Sequence, residues 1–164
     1  MKSLFFLIVA MNLSFLTLGQ TEGASKIYGY RQKLMGGTIR VDQKGMEVPR
    51  KPSYNYFIYL ASTTKVTPLE IYINGEAYSV TIREVSSPVE YVHPTSGDNT
   101  PKILVPKTTR KILQLGPADK IQRPTLKGKA LSSKNELVII YKGRDKLYYK
   151  ALPKLSMLDP VSMQ

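Results

Sequence analysis

Apolar and polar residues alternate along much of this chain with the period of two that belongs to β-strands. The pattern is clearest in Leu69-Glu70-Ile71-Tyr72-Ile73, followed by Asn74-Gly75 and then by Glu76-Ala77-Tyr78-Ser79-Val80-Thr81-Ile82. Asn-Gly tolerates the positive φ angles of a type I′ turn, so two alternating runs joined by it predict a hairpin. A two-residue loop would pair Ile71 with Tyr78 and Leu69 with Val80 on one face, leaving Glu70 and Ser79 on the other. A slip of one residue would scramble that partition.

A second hairpin is predicted from Leu137-Val138-Ile139-Ile140-Tyr141 and Lys146-Leu147-Tyr148-Tyr149-Lys150-Ala151, turning through Lys142-Gly143-Arg144-Asp145, with Ile140 facing Leu147 and Ile139 facing Tyr148. Its first strand is apolar on both faces, which places it centrally, covered from both sides. Tyr54 to Leu60 is aromatic and β-branched without Gly or Pro and reads as a buried strand. Shorter strands are expected at Ile27–Met35, Val89–Val92, Ile103–Val105 and Lys111–Leu115. Prolines, among them Pro68, Pro88, Pro106 and Pro117, are expected between strands, because proline cannot donate to a ladder.

Seven to eight short antiparallel strands with frequent turn signals describe an all-β domain, expected as a single small β-sandwich, immunoglobulin-like or similar. Three stretches lack a pattern. Gly36 to Ser53 reads as a loop, Asp119 to Asn135 as a long mobile loop, and residues 156–164 as a loosely held C-terminal tail.

The N-terminus carries a different signal. Lys2 precedes an apolar run from Leu4 to Leu18, and Thr17-Leu18-Gly19 sets small residues at the −3 and −1 positions before Gln20, as in a cleaved secretory signal. The run is shorter than the roughly 20 residues of a spanning helix, so no transmembrane segment is expected after cleavage. Residues 1–19 are thus read as a signal peptide and 20–155 as the domain. The chain has no cysteine, which removes disulfides, thiolate metal sites and cysteine nucleophiles. For an exported protein this favours the periplasm or surface of a bacterium, since small secreted domains elsewhere are often disulfide-dense.

Charge is unevenly spread. Residues 102–154 hold 14 Lys/Arg against 3 Asp/Glu, whereas residues 20–101 are close to neutral. Lys107, Arg110, Lys111, Lys120, Arg123, Lys127, Lys129, Lys142, Arg144, Lys146 and Lys150 form a candidate anionic-ligand face if the fold brings them together, with Tyr141, Tyr148 and Tyr149 interleaved. Export makes nucleic acid an unexpected partner, leaving an anionic polysaccharide, lipopolysaccharide or an acidic protein surface. The competing reading is a solvated surface that keeps the chain soluble.

Other constellations carry less. His93 is the lone histidine, near Glu90, Ser96 and Asp98 but without a nucleophile elbow, so a small hydrolase centred on it is the least favoured reading. Thr95 to Thr100 bears oxygen ligands but lacks calcium-loop spacing and reads as a turn. Glu84 and Glu90 form only a nominal carboxylate pair. No catalytic, metal or cofactor residue is assigned, and none of these features calls for a cofactor.

Gln20 at the start of the mature chain, Tyr28-Gly29-Tyr30-Arg31-Gln32, and Ile73-Asn74-Gly75-Glu76-Ala77-Tyr78 resemble small exported β-domain proteins of Gram-negative bacteria. The resemblance implies an exported β domain and carries over no catalytic residue. The expected function is a non-enzymatic accessory or protein-interaction domain of the bacterial envelope, offering sheet edges to a protein partner. A basic module for anionic glycan or lipopolysaccharide is the alternative.

Overall fold

The computed structural model describes residues 25–36, 41–47, 52–94 and 100–163. The segment read as an export signal lies outside the described residues. The strands are β1 (Lys26–Gly36), β2 (Ser53–Ser62), β3 (Val66–Ile73), β4 (Glu76–Val85), β5 (Val89–Tyr91), β6 (Lys102–Val105), β7 (Lys111–Lys120), β8 (Leu137–Gly143), β9 (Lys146–Leu152) and β10 (Ser156–Met163). One helix, α1 (Leu126–Ser132), lies between β7 and β8.

The protein is all-β, but its strands are not shared between the two facing sheets of a sandwich. Eight strands form one sheet in the order β10-β1-β2-β7-β4-β3-β8-β9, and β5 and β6 form a separate hairpin. A single sheet can bury its apolar face by curling on itself, because strand twist accumulates across neighbours. Ile58, Leu60, Ile71, Ile73, Leu113, Leu115, Leu137 and Ile139, from four strands, meet in one cluster on the concave side. Gly29 lets the curl close against β9: a Cβ there would stand 2.5 Å from Leu155 Cδ2 and 3.0 Å from both Leu137 Cδ2 and Leu152 Cδ1.

The convex side is covered in two places. The β5–β6 hairpin brings Leu104 and Val105 onto Tyr59, Ala61, Ile112 and Leu158. Helix α1 brings Leu131 toward Tyr72, Ala77, Val138 and Ile140. The stretch expected as a long mobile loop therefore holds the end of β7 and this helix. Its seven residues are too few to show a clear helical period, and packing holds them. A Cβ on Gly128 would overlap the Tyr72 hydroxyl and ring, so only glycine lets the helix lie this close. The Glu70 carboxylate secures the same place, accepting hydrogen bonds from Tyr72 Oη at 2.7 Å and Thr125 Oγ1 at 3.1 Å.

Register explains most of the remaining differences. The first hairpin pairs Ile71 with Tyr78 and Glu70 with Ser79, as the alternation requires. Leu69 lacks the expected partner Val80; it is the extra residue of a bulge against β8 and is 42% exposed. In the second hairpin the turn is Arg144-Asp145, with Arg144 at φ 49°, so Ile140 faces Tyr149 and Ile139 faces Lys150. The expected pairing was two residues out, which preserves the faces: Leu137, Ile139 and Tyr141 point inward, and Val138 and Ile140 outward. As expected, β8 is covered on both sides.

Three prolines fall inside strands after all. Pro68 adjoins the bulge in β3 and Pro117 pairs with Val80 beside a bulge in its own strand β7, while Pro160 lies in edge strand β10. Bulges and edges are the sites where a missing donor is tolerated. The residues read as a C-terminal tail form β10, which runs parallel to β1 and is anchored by Leu158, 1% exposed. One buried leucine in Ser-Met-Leu-Asp-Pro-Val-Ser-Met, a run without clear alternation and with a proline inside it, is too weak a pattern to announce a strand. Of the loop read from Gly36 to Ser53, the described part includes a bridge between Val41 and Glu47 around a turn in which the Asp42 carboxylate accepts from the Lys44 and Met46 amides.

Candidate functional site

Elements β3 and β4 belong to one hairpin yet stay together for only four residues each, Glu70–Ile73 against Glu76–Ser79. Beyond that point β3 follows β8 alone through Val66–Pro68, and β4 follows β7 alone through Val80–Val85. Each ladder is irregular where the two strands part: β3 carries an extra residue between Pro68 and Glu70 against β8, and β7 carries one between Pro117 and Lys120 against Tyr78–Val80 of β4. A bulge bends its strand and raises the local twist. With β3 bent against β8 and β7 bulged against β4 at the same level, β3 and β4 separate and a seam opens in the sheet.

The seam encloses a cavity of about 340 Å³ lined by Val66, Pro68, Ile82, Glu84, Lys111 and Leu113 among others. Ile82 pairs with Leu115 and Glu84 with Leu113, so both side chains point to the concave side with the core. Ile82 is nevertheless 46% exposed, because the neighbouring strand that would cover it has bent away. Leu69 faces solvent at the same parting. Glu84 and Lys111 form an ion pair at 2.5 Å on the rim, with both side chains more than half exposed. Lys65, in the β2–β3 connection, also lines the cavity and makes no ion pair among the described residues.

Chemically, the seam offers two strand edges with no ladder partner on the facing side among the described residues, an apolar floor and charged groups at one end. Unpaired backbone donors and acceptors in a partly apolar groove are satisfied best by another backbone. The signal in the sequence was Pro68. It interrupts β3 where the alternation of β4 continues unbroken to Ile82, so the two halves of the hairpin cannot stay paired to the same length.

The candidate basic residues do not fall on one surface. Lys111 sits in the seam. Lys142 lies on the convex side with Ile140, and Lys127 of α1 stands 4.4 Å above the Tyr149 ring, also convex. Lys150 pairs with Ile139 and Lys146 with Gly143, which places both on the opposite side of β9. Arg144 is in the β8–β9 turn, Lys107 and Arg110 are in the β6–β7 connection, and Arg123 and Lys129 flank and belong to α1. Of the interleaved tyrosines, Tyr141 and Tyr148 stack at 5.6 Å between centroids and pack with the core, and Ser25 Oγ lies 2.5 Å from Tyr141 Oη.

His93 does line a cavity, of about 350 Å³, with Tyr91, Lys102, Leu158 and Asp159. Its Nε2 donates to the Pro160 carbonyl at 2.9 Å, and the buried Gln32 amide donates to the Tyr91 hydroxyl and to the Asp159 carbonyl at 2.8 Å. These bonds hold β10 to the β5–β6 hairpin and β1. Ser96 and Asp98 lie outside the described residues, as does the proposed turn around them apart from Thr100. Among the described residues, no cluster of three His, Asp or Glu could hold a metal ion. No helix there is long and apolar enough to cross a membrane.

Tyrosine ionisation follows burial. Burial, with the Glu70 carboxylate beside it, pushes the Tyr72 hydroxyl up to about 12. The hydrogen bond to Glu76, with some burial, does the same for Tyr78. Tyr30 and Tyr59 are raised by burial on the convex side under the β5–β6 hairpin. All four are neutral at physiological pH and act as donors or packing groups.

No protein family, curated protein or solved structure was found to match the chain.

Proposed function

We propose that this protein is an exported, non-enzymatic interaction domain of the bacterial envelope, and that it binds an extended segment of a protein partner by strand addition in the β3–β4 seam. The carrying observation is the pair of facing strand edges, Val66–Leu69 and Val80–Val85, which leave their shared ladder beside a bulge in β3, a bulge in β7 and an exposed Ile82. Strand addition gains affinity from main-chain hydrogen bonds and specificity from alternate side chains in pockets. The apolar run at Leu4–Leu18 with its small-residue cleavage site supports export to the periplasm or cell surface. Cations divided between both sides of the sheet favour this reading over a continuous face for anionic glycan or lipopolysaccharide.

Amide hydrogen exchange tests the proposal directly. A capped eight-residue peptide alternating Val and Thr should protect amides within Thr81–Val85 and leave β9 unchanged, and Ile82→Arg should abolish the protection. Protection at the β9 or β10 edge instead, or no binding at all, would overturn the seam as the site. For export, the full chain expressed in a Gram-negative host should be recovered from the envelope fraction shortened at its N-terminus. Full-length protein confined to the cytoplasm would refute that half.

A further inference from the structure

Resting on the strand-addition reading, we infer the direction and charge pattern of the segment that enters the seam: it runs antiparallel to β4, with acidic residues at its N-terminal end and apolar residues at the alternate positions that follow.

Direction comes from the two edges. A strand lying between β3 and β4 must be antiparallel to one and parallel to the other, since β3 and β4 are themselves antiparallel. On the seam side β3 offers only Val66–Leu69, in which Pro68 has no N–H and Leu69 is displaced by the bulge. The β4 edge offers Val80–Val85 with no proline. Antiparallel ladders are also slightly the more stable per residue. Thus β4 is the template and β3 the wall, and about four residues of partner, roughly 13 Å of strand, would fill the seam.

Charge follows from direction. A strand antiparallel to β4 starts beside Glu84 and Val85 and ends beside Val80. Its N-terminal end therefore enters where β2 passes into β3 and where the β8–β9 turn lies, because Val66 pairs with Gly143 and Ser62 with Lys111. Lys65, Lys111, Lys142, Arg144 and Lys146 belong to that end of the sheet, against Glu84 and Asp145. Since Glu84 is engaged by Lys111, the excess there is positive. At the other end, where the β3–β4 ladder resumes at Glu70 and Ser79, the nearby side chains are the apolar Ile82, Val80 and Leu69, and a charged side chain would lose solvent without a partner.

The experiment uses three end-capped heptapeptides and the chain beginning at Gln20, followed by fluorescence anisotropy. Asp-Asp-Thr-Val-Thr-Val-Thr should bind at least about fivefold more tightly than its reversed sequence, the scale of a few exposed ion pairs. Replacing both Asp by Lys should cost more. The preference should shrink with Lys65→Glu and collapse in roughly 1 M salt, where the screening length falls to about 3 Å. Equal binding of all three peptides, with protection still confined to Thr81–Val85, would overturn the charge and direction while leaving strand addition standing. Failure of every peptide to bind would overturn strand addition itself.

Discussion

Among the places where the described sheet lacks a ladder are the approach of β9 to β1 and the parting of β3 from β4, and the molecule treats these two gaps differently. At the first, side chains replace hydrogen bonds: Leu137, Leu152 and Leu155 converge on Gly29, whose missing side chain is the space they occupy. At the second, a bulge in β3 and another in β7 accompany the parting of β3 from β4 and leave Ile82 and Leu69 exposed. A gap that serves only to complete the core is packed shut, because each buried methylene contributes about 0.8 kcal/mol. A gap lined by apolar side chains and left open forgoes that stabilisation, which is the pattern expected of a surface reserved for something else.

The sharpest way to break this comparison is at the closed gap. Leu155→Ala should lower stability by about 2–5 kcal/mol, as for other fully buried leucines. Gly29→Val should cost about 1–3 kcal/mol through overpacking, with the added carbon set against Leu155. Urea midpoints give both values. Gly29→Ala combined with Leu155→Ala should be less destabilising than the sum of the two, because the alanine methyl at 29 occupies space that the leucine vacates. Strict additivity would mean that these residues do not form the seal.

Second in size is the convex cover. Gly128→Ala should push α1 off the Tyr72 hydroxyl and cost roughly 1–3 kcal/mol. A circular-dichroism melt together with tyrosine fluorescence would report it. Equal stability would show that the helix is not fixed by that contact.

How much of this was legible in the sequence follows the same physical divide. The first hairpin was readable because its period of two states which face must be buried, and β2 and β8 because their aromatic and β-branched runs without Gly or Pro must be covered. The second hairpin was readable in its faces but not its pairing, since Lys142-Gly143-Arg144-Asp145 contains two possible two-residue turns and a two-residue slip leaves every face unchanged. Helix α1 and strand β10 were not readable: seven residues and a single buried leucine carry too little periodicity, and tertiary contacts supply what propensity does not. The sandwich was misjudged because strand patterns report faces, and the same alternation serves two packed sheets or one curled sheet. Of the site, the apolar run to Ile82 was visible; its exposure was not, because it depends on bulges in two strands.

A pH series separates the seam from the paired half of its own hairpin. Tyr72 and Tyr78, both within the paired half, have hydroxyls pushed up to about 12. The proton is held more tightly in the folded state than in the unfolded chain, so their contribution is complete below the unfolded value near 10 and is lost as pH rises through 12. Stability should therefore decline over this window, and Tyr72→Phe and Tyr78→Phe should each flatten the decline. A slope unchanged in both variants would locate the titration elsewhere.

The smallest effect on stability belongs to the seam, and it tells most about what the gap is for. Ile82→Thr and Leu69→Thr replace side chains that are already 46% and 42% exposed, so each should change stability by no more than about 0.5 kcal/mol. Lys111→Met, which removes an exposed ion pair with Glu84, should fall within about 1 kcal/mol. Strand-peptide affinity should respond in the opposite order to stability: strongest at Ile82, beside the incoming backbone, and absent at Leu155 in molecules that remain folded. If Ile82→Thr instead proved as destabilising as Leu155→Ala, the seam would be part of the core, closed in solution by β3 and β4 themselves, and the distinction between the two gaps would disappear.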